Sequence, residues 1–131
     1  MSKYRCLAAR YEKVIGEVVK TALPFLNKTE RDVVTSFVKE LKKKVGKDIV
    51  SIRLFGSKVR GDASKDSDID IFVLVKRKGE ARERISDIAA DYFYEYNIPL
   101  APVVYSLFEY EKNRELGSFF FEQVEQEGVA L

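Results

Sequence analysis

Two aspartates one residue apart at the head of an apolar run, Asp68 and Asp70 in DIDIFVLV, are the side chains in this 131-residue sequence best suited to chemistry. On an extended strand, residues i and i+2 share a face, with alpha carbons roughly 7 Å apart. Aspartate is a poor strand former, and like charges this close raise each other's pKa. Burying them without a compensating cation costs several kcal/mol. Hard divalent ions such as Mg²⁺ take carboxylate oxygens and keep coordination places for phosphate. Two such ions roughly 4 Å apart would clamp the attacking and leaving oxygens of a phosphoryl-type displacement.

Separated from Asp68 by ten residues, the dipeptide Gly56-Ser57 closes another apolar stretch. Backbone N–H groups free at the start of a helical turn there, together with the Ser57 hydroxyl, make a seat for phosphate. Glycine lets the backbone approach the anion closely. Lys58 and Arg60 on the same turn could offset triphosphate charge, and Ser67 stands directly before Asp68. Each signal alone has a plainer alternative: a simple turn for Gly-Ser, a turn-capping hydroxyl for Ser67, a local ion pair for Arg60. The joint pattern of strand, Gly-Ser, ten residues and Asp-x-Asp on a second strand is far more specific.

Composition removes competing chemistries. With no His there is no Ser-His-Asp triad, no imidazole base and no histidine-ligated metal. The single cysteine, Cys6, excludes an internal disulfide and suits a reducing cytoplasm. No apolar run approaches the ~20 residues that span a bilayer, and the N-terminus lacks the apolar stretch of a signal peptide. The net charge of +2 conceals an asymmetry. Residues 1–65 carry 16 Lys and Arg against 7 Asp and Glu, whereas residues 66–131 carry 7 against 14. A basic half points to an anionic partner, or only to a solvated helix surface.

The elements that position these residues follow from periodicity. A first helix is expected over Tyr4–Leu23, stopped by Pro24. A second starts at Thr29 as N-cap, turns Val33, Val34, Phe37, Val38, Leu41 and Val45 inward, and ends near Gly46. Ile49–Phe55 and Asp68–Val75 read as strands brought side by side by the polar turn Lys58–Ser67. A third helix spans Glu80–Tyr96, a third strand Leu100–Tyr105, and one broken or two short helices Glu109–Glu127 around Gly117. The order places the chain in the α/β (α+β) class as one domain over residues 1–131. Within it, residues 1–46 form a helical N-terminal region and residues 47–131 a sheet-bearing core.

GSKVRGDASKDSDID resembles the GS-x10-DxD signature of the DNA polymerase beta-like nucleotidyltransferase superfamily, and the chain is similar to its minimal nucleotidyltransferases. The resemblance covers roughly Ile49 to the closing EQEGVAL. It implies a small mixed sheet flanked by helices, Gly56 and Ser57 on the nucleotide's phosphates, and Asp68 and Asp70 on Mg²⁺, with ATP as substrate. The implied reaction transfers AMP to an acceptor hydroxyl with release of pyrophosphate. Members usually carry a third carboxylate on the next core strand, yet Leu100–Ser106 contains none. Minimal nucleotidyltransferases also resemble the antitoxin halves of two-gene modules. Their partner is a small helical HEPN ribonuclease, adenylylated on a tyrosine or masked by complex formation. A homodimer is a further expectation, nucleic acid a less favoured partner, and a membrane is not expected. Phe119–Phe121, Tyr92, Tyr94 and Tyr96 could supply an interface, although helical spacing suits most of them to a core. The alternative is a catalytically impaired module that neutralises a partner by contact.

Overall fold

A computed structural model describes residues 25–61, 67–117 and 119–131; the expected helix Tyr4–Leu23 lies outside these residues, as do Asp62 and Asp66, acids of the polar turn whose spacing suits turn residues better than metal ligands. Helix α1 (Lys28–Val45) is followed by strand β1 (Ile49–Phe55), the single turn α2 (Ser57–Arg60) and strand β2 (Ile69–Val75). Helix α3 (Ala81–Tyr96) leads into strand β3 (Leu100–Ser106), helices α4 (Leu107–Glu115) and α5 (Phe119–Glu127), and strand β4 (Val129–Ala130).

Helix α1 begins two residues earlier than expected because Asn27, not Thr29, is its N-cap. The Asn27 side chain accepts from the Glu30 N–H at 2.8 Å while Glu30 accepts from the Asn27 N–H at 2.9 Å. This capping box satisfies two donors that a helix start otherwise leaves open. The inward stripe Val33, Val34, Phe37, Val38, Leu41 and Val45 is buried as its spacing requires. A second capping box joins Ser106 and Glu109 at the start of α4. Burial works against the Glu109 carboxylate, but the Ser106 N–H and Lys78 ammonium outweigh it and hold its pKa below the usual value.

The strands form one mixed sheet in the order β3-β2-β1-β4. β1 runs antiparallel to both β2 and β4, and β2 runs parallel to β3, the parallel pair joined through α3. β2 is therefore covered on both faces, which explains its unbroken apolar run. Ile69, Ile71, Val73 and Val75 face the core shared with α1 and α3. Phe72 and Leu74 face the opposite layer, where Tyr105, Tyr110, Phe120 and Phe121 pack in an aromatic cluster. Edge strand β3 carries Pro102 level with Ile71 of β2. Strand β4 was not expected from the sequence, since two residues hold too little pattern to signal a strand.

Phe37 is fully buried and meets Tyr92 edge to face at 5.9 Å. Phe37→Ala is expected to cost about 3–5 kcal/mol, a large share of the roughly 5–15 kcal/mol that holds such a domain folded. The urea midpoint should fall with little change of slope.

Candidate functional site

Antiparallel pairing of β1 with β2 sets Phe55 opposite Asp70, so the residue after Phe55 arrives beside the second aspartate. That residue is Gly56, and two constraints demand glycine. Its φ of +83° is a conformation that side-chain-bearing residues adopt at a cost. A Cβ there would also lie only 2.3 Å from Asp70 Oδ2. The backbone then closes into α2, with the Val59 and Arg60 N–H groups donating to the Gly56 carbonyl at 3.1 and 3.2 Å. The turn has no side-chain cap, and the first N–H groups of any helix start lack intrahelical partners. The phosphate seat expected at Gly56-Ser57 thus stands at the same sheet end as the acids.

Asp70 shares the Phe72 and Leu74 face of β2, at the rim of the aromatic cluster, while Asp68 lies exposed just before the strand. Burial pushes the Asp70 carboxyl above its ordinary value, the Asp68 charge pushes it further, and the Arg60 guanidinium partly opposes both. Two neighbouring carboxylates, Asp70 partly buried and beside the Asp68 charge, against a backbone stripped of its Cβ, suit a hard divalent cation such as Mg²⁺. Arg60 extends its charge toward Asp70 and also pairs with Glu127 of α5 at 3.3 Å. Ser67 is half-buried and lines a cavity of about 360 Å³ with Asn27, Tyr96 and Pro99.

Lys58 differs from expectation. Its side chain is 6% exposed, and its ammonium lies 2.8 Å from Glu30 Oε2 at the start of α1. Its charge is neutralised by a buried carboxylate instead of being offered to a triphosphate. Glu30 thereby caps α1 with one oxygen and anchors α2 with the other. Residue spacing signalled Glu30 as an acid of the first helical turn but gave no sign of this second contact, far along the chain.

Parallel pairing puts Ala101 level with Asp70 and Val103 level with Phe72, so β3 brings no carboxylate to the acids. Glu109 is held in the α4 cap by Ser106 and Lys78. Among the described residues no group of three or more acidic or thiol side chains is arranged to hold a metal. The aromatic candidates divide: Phe121 is buried and Tyr92 packs on Phe37, whereas Phe119 and Tyr94 are exposed.

Residues 34–128 match the family model of the nucleotidyltransferase domain, a span holding Gly56, Ser57, Asp68 and Asp70. The chain belongs to the nucleotidyltransferase domain family. Its four-stranded mixed sheet between helices is the polymerase beta-like form of that fold. Two proteins of Methanocaldococcus jannaschii, each provisionally named a protein adenylyltransferase, are similar to this nucleotidyltransferase domain. One is 34% identical over 77 residues, 56% of this chain and 52% of the relative, so the match spans about half of that protein's length. The other is 29% identical over 102 residues, 76% of this chain and 96% of the relative. No helix among the described residues is long and apolar enough to cross a membrane.

Two substitutions separate the roles at this turn. Lys58→Met leaves the Glu30 carboxylate buried without its cation and should lower unfolding free energy by about 3–5 kcal/mol, measured by urea denaturation. Gly56→Ala should cost about 1–3 kcal/mol for the backbone conformation alone, since φ +83° with ψ −157° is a region almost confined to glycine. Because the new methyl group must displace Asp70, whatever Mg²⁺-dependent ATP binding calorimetry finds in the wild type should also be lost.

Proposed function

We propose that this domain transfers AMP from ATP, with Mg²⁺, to a hydroxyl of a partner protein, as the antitoxin half of a two-gene module whose other half is a small helical HEPN-type protein. The observation that carries this reading is the contact between the Gly56 backbone and the Asp70 carboxylate. It sets the Gly56-Ser57 turn and the two aspartates at one end of the sheet, which supports reading the turn as a phosphate seat. The provisional names of the two relatives support a protein as acceptor.

The chain's own contribution is positioning and electrostatics. Gly56 and Ser57 present backbone and hydroxyl donors to the phosphates, and Arg60 adds positive charge. Asp68 and Asp70 hold the cation, which when bound polarises phosphate oxygens and offsets their charge. The acceptor oxygen forms a bond to the α-phosphorus, the bond from that phosphorus to the bridging oxygen breaks, and pyrophosphate departs. β3, the strand on which the family usually carries a third acid, has none, so the described residues offer no evident base and the acceptor's proton leaves to solvent. Such a base is worth about 10²–10⁴-fold in rate. The acid-free third strand favours the second reading, a module that neutralises its partner by contact.

Incubation with α-labelled ATP, Mg²⁺ and the product of the adjacent gene distinguishes the two. The transferase reading expects label on the partner, loss of it on chelation, and a fall of at least about 10²-fold for Asp70→Asn. Absence of transfer by folded wild-type protein, with neutralisation intact in Asp70→Asn, establishes the contact reading instead. Since the Asp70 pKa lies above the ordinary value and protons compete with the cation, Mg²⁺-dependent ATP binding should weaken on acidification at a higher pH than an ordinary aspartate would dictate.

A further inference from the structure

A cavity of about 360 Å³ lies between helix α3 and the outer strand β3, and among the described residues only uncharged ones line it. Ala89 and Leu100 are its buried base, Pro99 and Pro102 are half-buried, and Ser86, Ala90 and Phe93 are exposed. Phe93 keeps 51% of its surface in solvent. Phe93 and Pro99 also line the cavity that holds Ser67, Asn27 and Tyr96, so the two join as one trough. The described chain begins at that end. Asn27 and Thr29, just after Phe25, line the trough beside Tyr96, which is 47% exposed.

Three features set the chemistry of an occupant. The sequence has no Lys or Arg from residue 85 to residue 111, while Asp87, Asp91 and Glu95 stand exposed on α3. A cationic occupant is favoured, and a second copy presenting the same acidic face is not. β3 lacks an N–H at Pro102, so an added strand gains an incomplete ladder, whereas a helix needs no donor from the edge. The small side chains of Ser86, Ala89 and Ala90 let a second helix axis approach α3 to about 8–10 Å.

Residues 1–24 meet this description, and they join the domain at the trough. They carry Lys3, Arg5, Arg10, Lys13 and Lys20 against Glu12 and Glu17. Leu7, Tyr11, Val14, Ile15, Val18 and Val19 recur at helical spacing, an apolar stripe that needs a surface to cover it. As a helix, the 20 residues Tyr4–Leu23 would extend about 30 Å, against about 24 Å for the 16 residues of α3.

We propose that Tyr4–Leu23 docks as a helix in the α3–β3 trough, its apolar stripe on Ala90, Phe93 and Pro102 and its cations toward the acids of α3. So placed, the segment walls the cavity at Ser67, the residue before Asp68. The contact is independent of whether the domain turns over ATP.

The test uses the full chain, uniformly ¹⁵N-labelled, with a nitroxide on Cys6, the single cysteine and a position off the stripe. Compared with the reduced label, amide broadening should be strongest in α3 and β3 and decline across the sheet toward β4. Val14→Glu combined with Val18→Glu should abolish that gradient. Phe93→Lys, at an exposed position of the domain itself, should weaken it while the rest of the spectrum stays folded. A mixture of ¹⁵N-labelled Cys6→Ser chain with unenriched, spin-labelled chain should show no broadening. An even spread of broadening overturns the proposal and leaves the trough to a separate partner. Broadening in the mixture overturns it in favour of a second copy. A gradient centred on α4 and α5, or one that survives both variants, overturns it as well.

Discussion

The candidate site rests on how closely one peptide unit can pass a carboxylate. Gly56 crosses in front of Asp70 with so little clearance that a methyl group would overlap an oxygen, and it does so with φ on the positive side. Only then can the chain turn at once into α2 and set its first N–H groups near the negative charge. The alternative of a longer, looser turn would separate donors from acids and lose the field each creates at the other. The antiparallel register of β1 and β2 fixes this approach, because a slip of one residue would put Asp70 in the core shared with α1 and α3.

Around that contact, charge is distributed unevenly. Asp70 is partly desolvated and sits beside a like charge, while Lys58, within the turn itself, is paired with Glu30 in the interior. The turn is thereby fastened to α1 from beneath and to α5 through Arg60 and Glu127. A scaffold held from two sides is suited to presenting acids in a fixed geometry, whatever occupies them. The third strand sets Ala101, which has no carboxylate, level with Asp70.

Much of this was legible in the residues. The alternation of IVSIRLF and the acid-headed run before Val75 fixed both central strands, and the six inward positions of α1 match their helical spacing. The Gly-Ser and Asp-x-Asp motifs were legible because each is a local pattern at the end of a strand, and the antiparallel register brings those two ends together. What escaped depended on distance along the chain. The fate of Lys58 is decided by Glu30, that of Arg60 partly by Glu127, and β4 by pairing with a strand far earlier in the sequence. The α1 cap was misplaced for a different reason. Thr29 and Asn27 are both good caps, and only Asn27 has Glu three residues on to return the bond.

Pro102 in the outer strand has a consequence for the molecule in a crowded cell. A proline is tolerated on an edge strand when its missing N–H faces away from the sheet. The flank of β3 thus lacks a donor at its midpoint, and a neighbouring copy laid along it cannot complete a ladder. Fibre growth by edge-to-edge stacking is blunted at this flank, which protects a domain with so apolar a central strand from amyloid-like assembly.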